Sequence, residues 1–217
     1  MAEKPEGDSS RRAASKRETR DALIAAALAE FAEHGLDAPS LDAICARAGF
    51  TRGAFYVHFR DREDLMVAVL DTAIGGFLDA MIASGGEGDD LARTVDRFAG
   101  IVNLLNKSPR GESPTSETSL LVPVHLAQAL DGARRSKRLR KAILAALERA
   151  SRRLEEVSLR GQEGSAVRQD VEARHVGVLL LSLAFGVLVL RDTGLAIDPP
   201  GLRRTLLRLV SAGDDRE

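Results

Sequence analysis

The sequence has no tryptophan, one tyrosine and one cysteine. A lone Cys45 rules out an internal disulfide and any cysteine-rich metal site, and it suits a reducing cytosol. An excess of one charge is also missing: 31 Lys and Arg face 32 Asp and Glu, a formal net charge of −1. No global charge marks a nucleic-acid partner, so any DNA-binding charge has to be local. Long apolar runs are scarce. The longest, Val176 to Leu190, covers about 15 residues and is broken by Gly177, Ser182 and Gly186, short of the roughly 20 that a transmembrane helix needs. The first twenty residues are polar and carry no apolar signal segment. Alternation of apolar and polar residues is nearly absent, which leaves little material for strands. Together these absences lead to a cytoplasmic, all-α protein away from membranes.

What is present is helical spacing. Residues 1–15 are polar, with Pro, Gly and Ser, and read as a basic arm without fixed structure. Leu23, Ile24, Ala27, Leu28 and Phe31 then recur at three- and four-residue steps on a first helix that stops at Gly35. Ser40 is suited to cap a short helix carrying Leu41, Ile44, Cys45 and Ala48. Thr51 is suited to cap the next, which holds Ala54, Phe55 and Phe59, and Asp61 to cap a long fourth helix. Further helices are expected over about 89–106, 121–130, 136–159 and 171–191. The last starts at Asp198-Pro199-Pro200, with proline in its first turn. Residues 107–119 read as a loop. The total is about nine helices: a three-helix unit over 16–62, then a larger bundle over 63–217.

Residues 40–65 are the informative segment. Two short helices meet across Ala48-Gly49-Phe50-Thr51, the arrangement of a helix-turn-helix in which the second helix enters the major groove. Thr51 stands where free backbone N–H groups and a helix dipole favour a phosphate. Arg52 can reach a guanine edge or a phosphate, and Ala54 can touch a thymine methyl. Gly53 and Ala54 are small, so the backbone can approach the groove. Ser10 to Arg20 holds five cations and one anion, the local charge that the overall balance hides. Arg17 and Arg20 fall on the first helix and are candidates for phosphate contact; Arg11 and Arg12 lie in the arm. Ser40 and Arg62 complete the candidate set. Phe55 and Phe59 read as core.

This segment resembles the TetR family. Phe31 and Gly35, Leu41, Ile44, Ala48-Gly49, Thr51-Arg52-Gly53, Phe55-Tyr56, His58-Phe59 and Asp64-Leu65 agree in order with its N-terminal pattern over about fifty residues. The resemblance implies phosphate contacts from Tyr56 and His58, and a regulator rather than an enzyme, with no cofactor. It also implies a homodimer through the last two helices, a palindromic double-stranded DNA operator, and a small apolar or amphipathic effector between the fifth and eighth helices. Candidate lining residues are Phe98, Val102, Leu105, Leu121, His125, Leu126, Leu147, Leu154, Leu181 and Phe185. Independently, an apolar 176–190 helix must be covered on every side. Gly75-Gly76 weakens the fourth helix where it joins the two units, as either a hinge or a close-packing point.

Other readings remain open at the level of sequence. An enzyme finds no support: there is no Gly-rich phosphate loop, no HExxH and no cysteine placed with a histidine. A regulator controlled by a protein partner, or an activator in place of a repressor, fits the same motifs.

Overall fold

The computed structural model describes residues 6–82, 90–107 and 126–211. The described residues form α1 (Glu6–His34), α2 (Leu41–Ala48), α3 (Arg52–His58), α4 (Arg62–Met81), α5 (Asp90–Lys107), α6 (Leu126–Arg135), α7 (Lys137–Glu163), α8 (Ala173–Thr193) and α9 (Pro199–Val210). The fold class is all-α, as the spacing implies. Among the described residues the only β-type pairing is one isolated bridge, Val167 to Ser211, which ties the α7–α8 connection to the end of α9.

Local chemistry fixes most ends. The Ser40 hydroxyl accepts from the Ala43 N–H at 3.1 Å, Thr51 from Ala54 at 3.3 Å, Asp61 from Asp64 at 2.7 Å and Ser136 from Leu139 at 3.1 Å. Each satisfies a first-turn N–H that has no partner inside its helix. Asp198 stands at the cap position of α9 without a side-chain capping bond, and Pro199 and Pro200 fill the first turn. Gly49 takes a left-handed φ of 75° at the end of α2.

Several boundaries differ from expectation. Helix α1 starts at Glu6, within the segment read as an unstructured arm. The stretch after Gly7 carries Arg11, Arg12, Ala13 and Ala14, which are strong helix formers. Helix α6 begins at Leu126 and runs to Arg135, while residues 121–125 lie outside the described set. Helix α7 passes through Gly161, where a side chain would run into Val167. Helix α8 is 21 residues long, and its first 18 have a mean hydropathy of 2.0. By length and composition it could cross a membrane, which the shorter 176–190 run could not. It packs along α7, with a third of that window buried (33%).

The described residues bury two cores. The first unites the head (Leu23, Phe31, Ile44, Phe55, Phe59) with Leu65 and Val69 of α4, Ala129 and Ala133 of α6, and Leu139 and Ile143 of α7. The second gathers Phe77 and Met81 of α4, Val95 and Phe98 of α5, Leu154 of α7, Val187 and Leu188 of α8, and Leu206 of α9. Helix α4 serves both, and Gly75-Gly76 falls where one core gives way to the other. Arg138 meets Asp61 and Asp64, Arg149 meets Asp71, and Arg153 meets Asp79. The pairs climb both helices in the same order, so α4 and α7 run parallel.

Two glycines make opposite demands. At Gly177 an added Cβ would lie 3.0 Å from the Glu155 backbone nitrogen, because α8 presses on α7 there. At Gly75 an added Cβ meets nothing within 4 Å, so close packing does not account for this glycine. Gly177→Ala is expected to destabilise the protein by about 1–3 kcal/mol. Gly75→Ala is expected to stabilise it by about 0.5–1 kcal/mol. Chemical denaturation of the two variants checks both signs.

Candidate DNA-binding surface and the larger-domain core

Helix α3 is anchored from beneath. Phe55 and Phe59 are buried in the first core and lie 5.4 Å apart between ring centroids, and Phe55 also meets the edge of Tyr56 at 5.2 Å. With these rings inside, helical spacing turns Arg52, Gly53, Tyr56 and Val57 outward; Tyr56 is 58% exposed. Ala54 is half-buried. Beside Gly53 a side chain would meet only the Thr51 hydroxyl, at 3.6 Å. The open face at this glycine is therefore available to whatever approaches α3. Ser40 and Thr51 are exposed, and their oxygens accept the capping bonds, which leaves each O–H free to donate outward.

A groove of about 510 Å³ separates α1 from α3 and is lined by Ser15, Lys16, Thr19, Phe50, Ala54, Val57 and His58. The His58 Nδ1 is buried there without a hydrogen-bond partner. Burial, then the charges of Lys16 and Arg20, push this imidazole below its usual 6.5. Arg20 lies 5.0 Å over the Phe59 ring, so its charge is held at the α1–α3 edge. Arg17 is exposed on α1. The side chains of Arg11 and Arg12 lie outside the described set.

Arg62 departs from expectation. It does not face outward with the α3 residues. Its guanidinium donates to the carbonyls of Leu36 at 2.6 Å and Pro39 at 3.1 Å and lies 5.6 Å from the Phe31 ring centroid. It braces the α1–α2 connection against α4. Three further sets of polar contacts have no signature in the residue pattern. Asp42 grips Arg52, with Nε to Oδ1 at 2.5 Å and Nη2 to Oδ2 at 2.9 Å. Arg47 bridges Glu30 at 3.0 Å and Glu33 at 2.5 Å, tying α2 to α1. This bridge places a cation on the Glu30, Glu33 and His34 cluster, whose ligand-type atoms all lie within 4.8 Å of one another.

The third contact set joins head to body. The Leu36 N–H donates to Gln128 Oε1 of α6 at 2.7 Å. Arg138 of α7 donates to Asp61 at 2.9 Å, Glu63 at 3.1 Å and Asp64 at 2.9 Å, and the Ser136 hydroxyl donates to Glu63. A backbone N–H and then Arg138 hold Asp61 below the usual carboxylate range, and Arg60 does the same for Asp64. The cap of α4 is thus also the seat of α7.

In the body, Phe98 and Leu154 line an enclosed cavity of about 10 Å³ together with Met81, Thr94, Val95, Leu180, Leu183 and Leu206. That holds at most one water. Val102 is buried in the same core, Leu181 packs against it, and Phe185 is half-buried on α8. Leu147 packs against the first core, on the head side of α7, apart from Phe98, Val102, Leu154 and Leu181 of the second. Residues Leu121 and His125 and the side chains of Leu105 and Leu126 lie outside the described set. On α8 and α9, Val178, Leu179, Val189, Leu190 and Leu209 are exposed, Leu179 by 69% and Leu209 by 61%.

Residues 23–69 match the family model for bacterial regulatory proteins of the tetR family. Over 56 residues the chain is 41% identical to the HTH-type transcriptional repressor BepR of Brucella suis. That match covers 26% of this chain and 27% of that repressor, so only about a quarter of the relative's length is spanned. Among solved structures, the reduced form of E. coli NemR superposes with a TM-score of 0.70 at 18% identity, covering 89% of this chain and 98% of that one. A SmeT–triclosan complex superposes with a TM-score of 0.61 at 23% identity, covering 90% and 93%. These two likenesses show the fold. Residues 23–69 thus carry the N-terminal domain described for bacterial regulatory proteins of the tetR family.

Two outcomes are expected. In an NMR titration His58 should titrate below 6.5, and Lys16→Ala should move the midpoint up, because one of the charges opposing protonation is removed. Arg62→Ala should destabilise the protein by about 1.5–3 kcal/mol in chemical denaturation, through two lost charge-assisted hydrogen bonds.

Proposed function

We propose that the chain is a transcriptional repressor that binds a palindromic operator as a homodimer and is released by a small apolar or amphipathic molecule. The observation that carries the DNA-binding part is the outward face of α3. Arg52, Gly53 and Tyr56 stand exposed on a helix whose other face is pinned by Phe55 and Phe59. Arg52, Gly53 and Ala54 meet base edges. Thr51, Ser40, Tyr56, His58, Arg17 and Arg20 hold phosphates, each adding a salt-dependent contribution. Arg62 supports this surface from behind. The bacterial cytosol is where such a protein works.

The dimer reading rests on α8 and α9. Exposed Val178, Leu179, Val189 and Leu190 on α8, and Leu209 on α9, leave apolar surface in water that a second copy would cover. A twofold axis there sets two α3 helices on one face of the DNA, and the operator inherits the symmetry.

Release is read from the connections between head and body. Helix α4 belongs to both cores, and α6 and α7 hold the head through Gln128 and Arg138. A ligand that displaces α4 against α7 tilts the head, and Gly75-Gly76 gives the bend. Ligand and DNA then weaken each other by the same factor. A SmeT–triclosan complex among the structural neighbours makes a small-molecule effector a reasonable class to test.

A second reading, control by a protein partner, draws on one observation. The cavity that Phe98 and Leu154 line holds only about 10 Å³, far less than the roughly 300 Å³ or more of a ligand pocket.

The deciding experiment is in-vitro selection of genomic fragments by the purified protein beside an Arg52→Ala, Tyr56→Ala double variant. The wild type is expected to enrich a twofold-symmetric site and the variant none. Folded wild type that enriches nothing would refute DNA reading. Leu179→Glu with Leu209→Glu should shift the protein to monomer in analytical ultracentrifugation and abolish tight operator binding. Gly75→Ala with Gly76→Ala should leave operator affinity intact and blunt release by any inducer; unchanged release would remove the hinge.

A further inference from the structure

We propose that Asp42 of α2 sets the base preference of the α3 reader by gripping Arg52 side-on, so that only the end-on edge of its guanidinium is free to face DNA. This deepens the proposed function and rests on it. A guanidinium offers two bidentate edges: the Nε–H with one Nη2–H, and the Nη1–H with the other Nη2–H. Asp42 occupies the first. Its Oδ1 lies 2.5 Å from Nε and its Oδ2 lies 2.9 Å from Nη2. The second edge is left open, and two parallel N–H donors are what the O6 and N7 acceptors of a guanine require.

The pair has little to do for stability. Both side chains are more than half exposed, 56% for Arg52 and 69% for Asp42, and exposed pairs contribute little. Arg52 opens α3, where the positive end of the helix dipole opposes a cation. A residue chosen for stability would not be basic there. Asp42 sits in the first turn of α2, capped by Ser40, and Ser40 and Asp42 therefore share one rigid turn. The carboxylate holds the arginine on a fixed base and is not itself a DNA contact.

A carboxylate on the DNA-facing side has a second consequence. It repels phosphates, so it penalises every sequence in which Arg52 would swing away to the backbone. Asp42 thus separates specific from non-specific binding in two ways: it keeps Arg52 on the base, and it charges the surface against any other pose. Arg52 without Asp42 is a flexible cation free to settle on the nearest phosphate.

The test uses the full-length chain as wild type, Asp42→Asn and Arg52→Ala, and the site enriched by selection. Competition binding compares that site with versions in which each G·C pair is replaced symmetrically by A·T. Wild type should lose roughly tenfold to a hundredfold per half-site at the pair read by Arg52. Asp42→Asn, nearly identical in shape, should lose most of that discrimination while binding random DNA several-fold more tightly. Its log affinity should fall more steeply with log salt, by up to about one unit per half-site, as Arg52 moves onto phosphate. Asp42→Glu should recover part of the discrimination, and thermal melting of all variants should match wild type. If Arg52→Ala erases the G·C preference while Asp42→Asn keeps both the preference and the salt slope of wild type, the positioning role is wrong and the reader stands. If Arg52→Ala keeps the preference as well, Arg52 reads no base, and the proposal falls together with the reading it rests on.

Discussion

Leu65 and Val69 of α4 have no exposed surface, because the head and the start of α7 close on them together. The other features follow from that shared burial. A three-helix head of some fifty residues buries too little on its own to be robust. Here it completes its core with Ala129, Ala133, Leu139 and Ile143 from the body. The outward face of α3 is therefore held by residues more than seventy positions away in the chain. Displacing α4 or α6 disturbs the head's own packing, not just its orientation.

Electrostatics reinforces the same seam. Asp61 caps α4 and also receives Arg138, while Glu63 and Asp64 in the first turn face that same arginine. Negative charge at the start of a helix is favourable already. Arg138 lets three carboxylates crowd there with less mutual repulsion. Each of these exposed contacts is weak alone, and a network with a cap built into it defines one geometry.

Much of the head was legible in the sequence because its signals are local. Ser40, Thr51 and Asp61 each act on an N–H three residues ahead, and Gly35 and Gly49 each end a helix where they stand. The family pattern fixed the order of these parts. What could not be read is contact across distance. Arg62 resembles a surface arginine until its acceptors are seen, and those are backbone carbonyls that leave no mark in a sequence. Asp42 and Arg52 are ordinary residues ten positions apart, joined only once the turn brings α2 against α3. Leu147 shows the limit of periodicity, which says that a helix face is buried and not against what. Helix α7 serves one core with Ile143 and the other with Leu154.

Gly35 ends α1 in a left-handed conformation, with φ of 80°, and the amide of Gln128 comes so close that a Cβ there would lie 2.9 Å from its oxygen. The next residue's N–H, on Leu36, is satisfied by that same oxygen. The first helix of the head is thus finished by an atom of α6. In hydrogen-exchange terms, the Leu36 amide is a head proton whose protection is governed by the body: whatever lifts α6 exposes it, even while the rest of the head stays folded. It is a built-in gauge of how firmly the two halves are engaged.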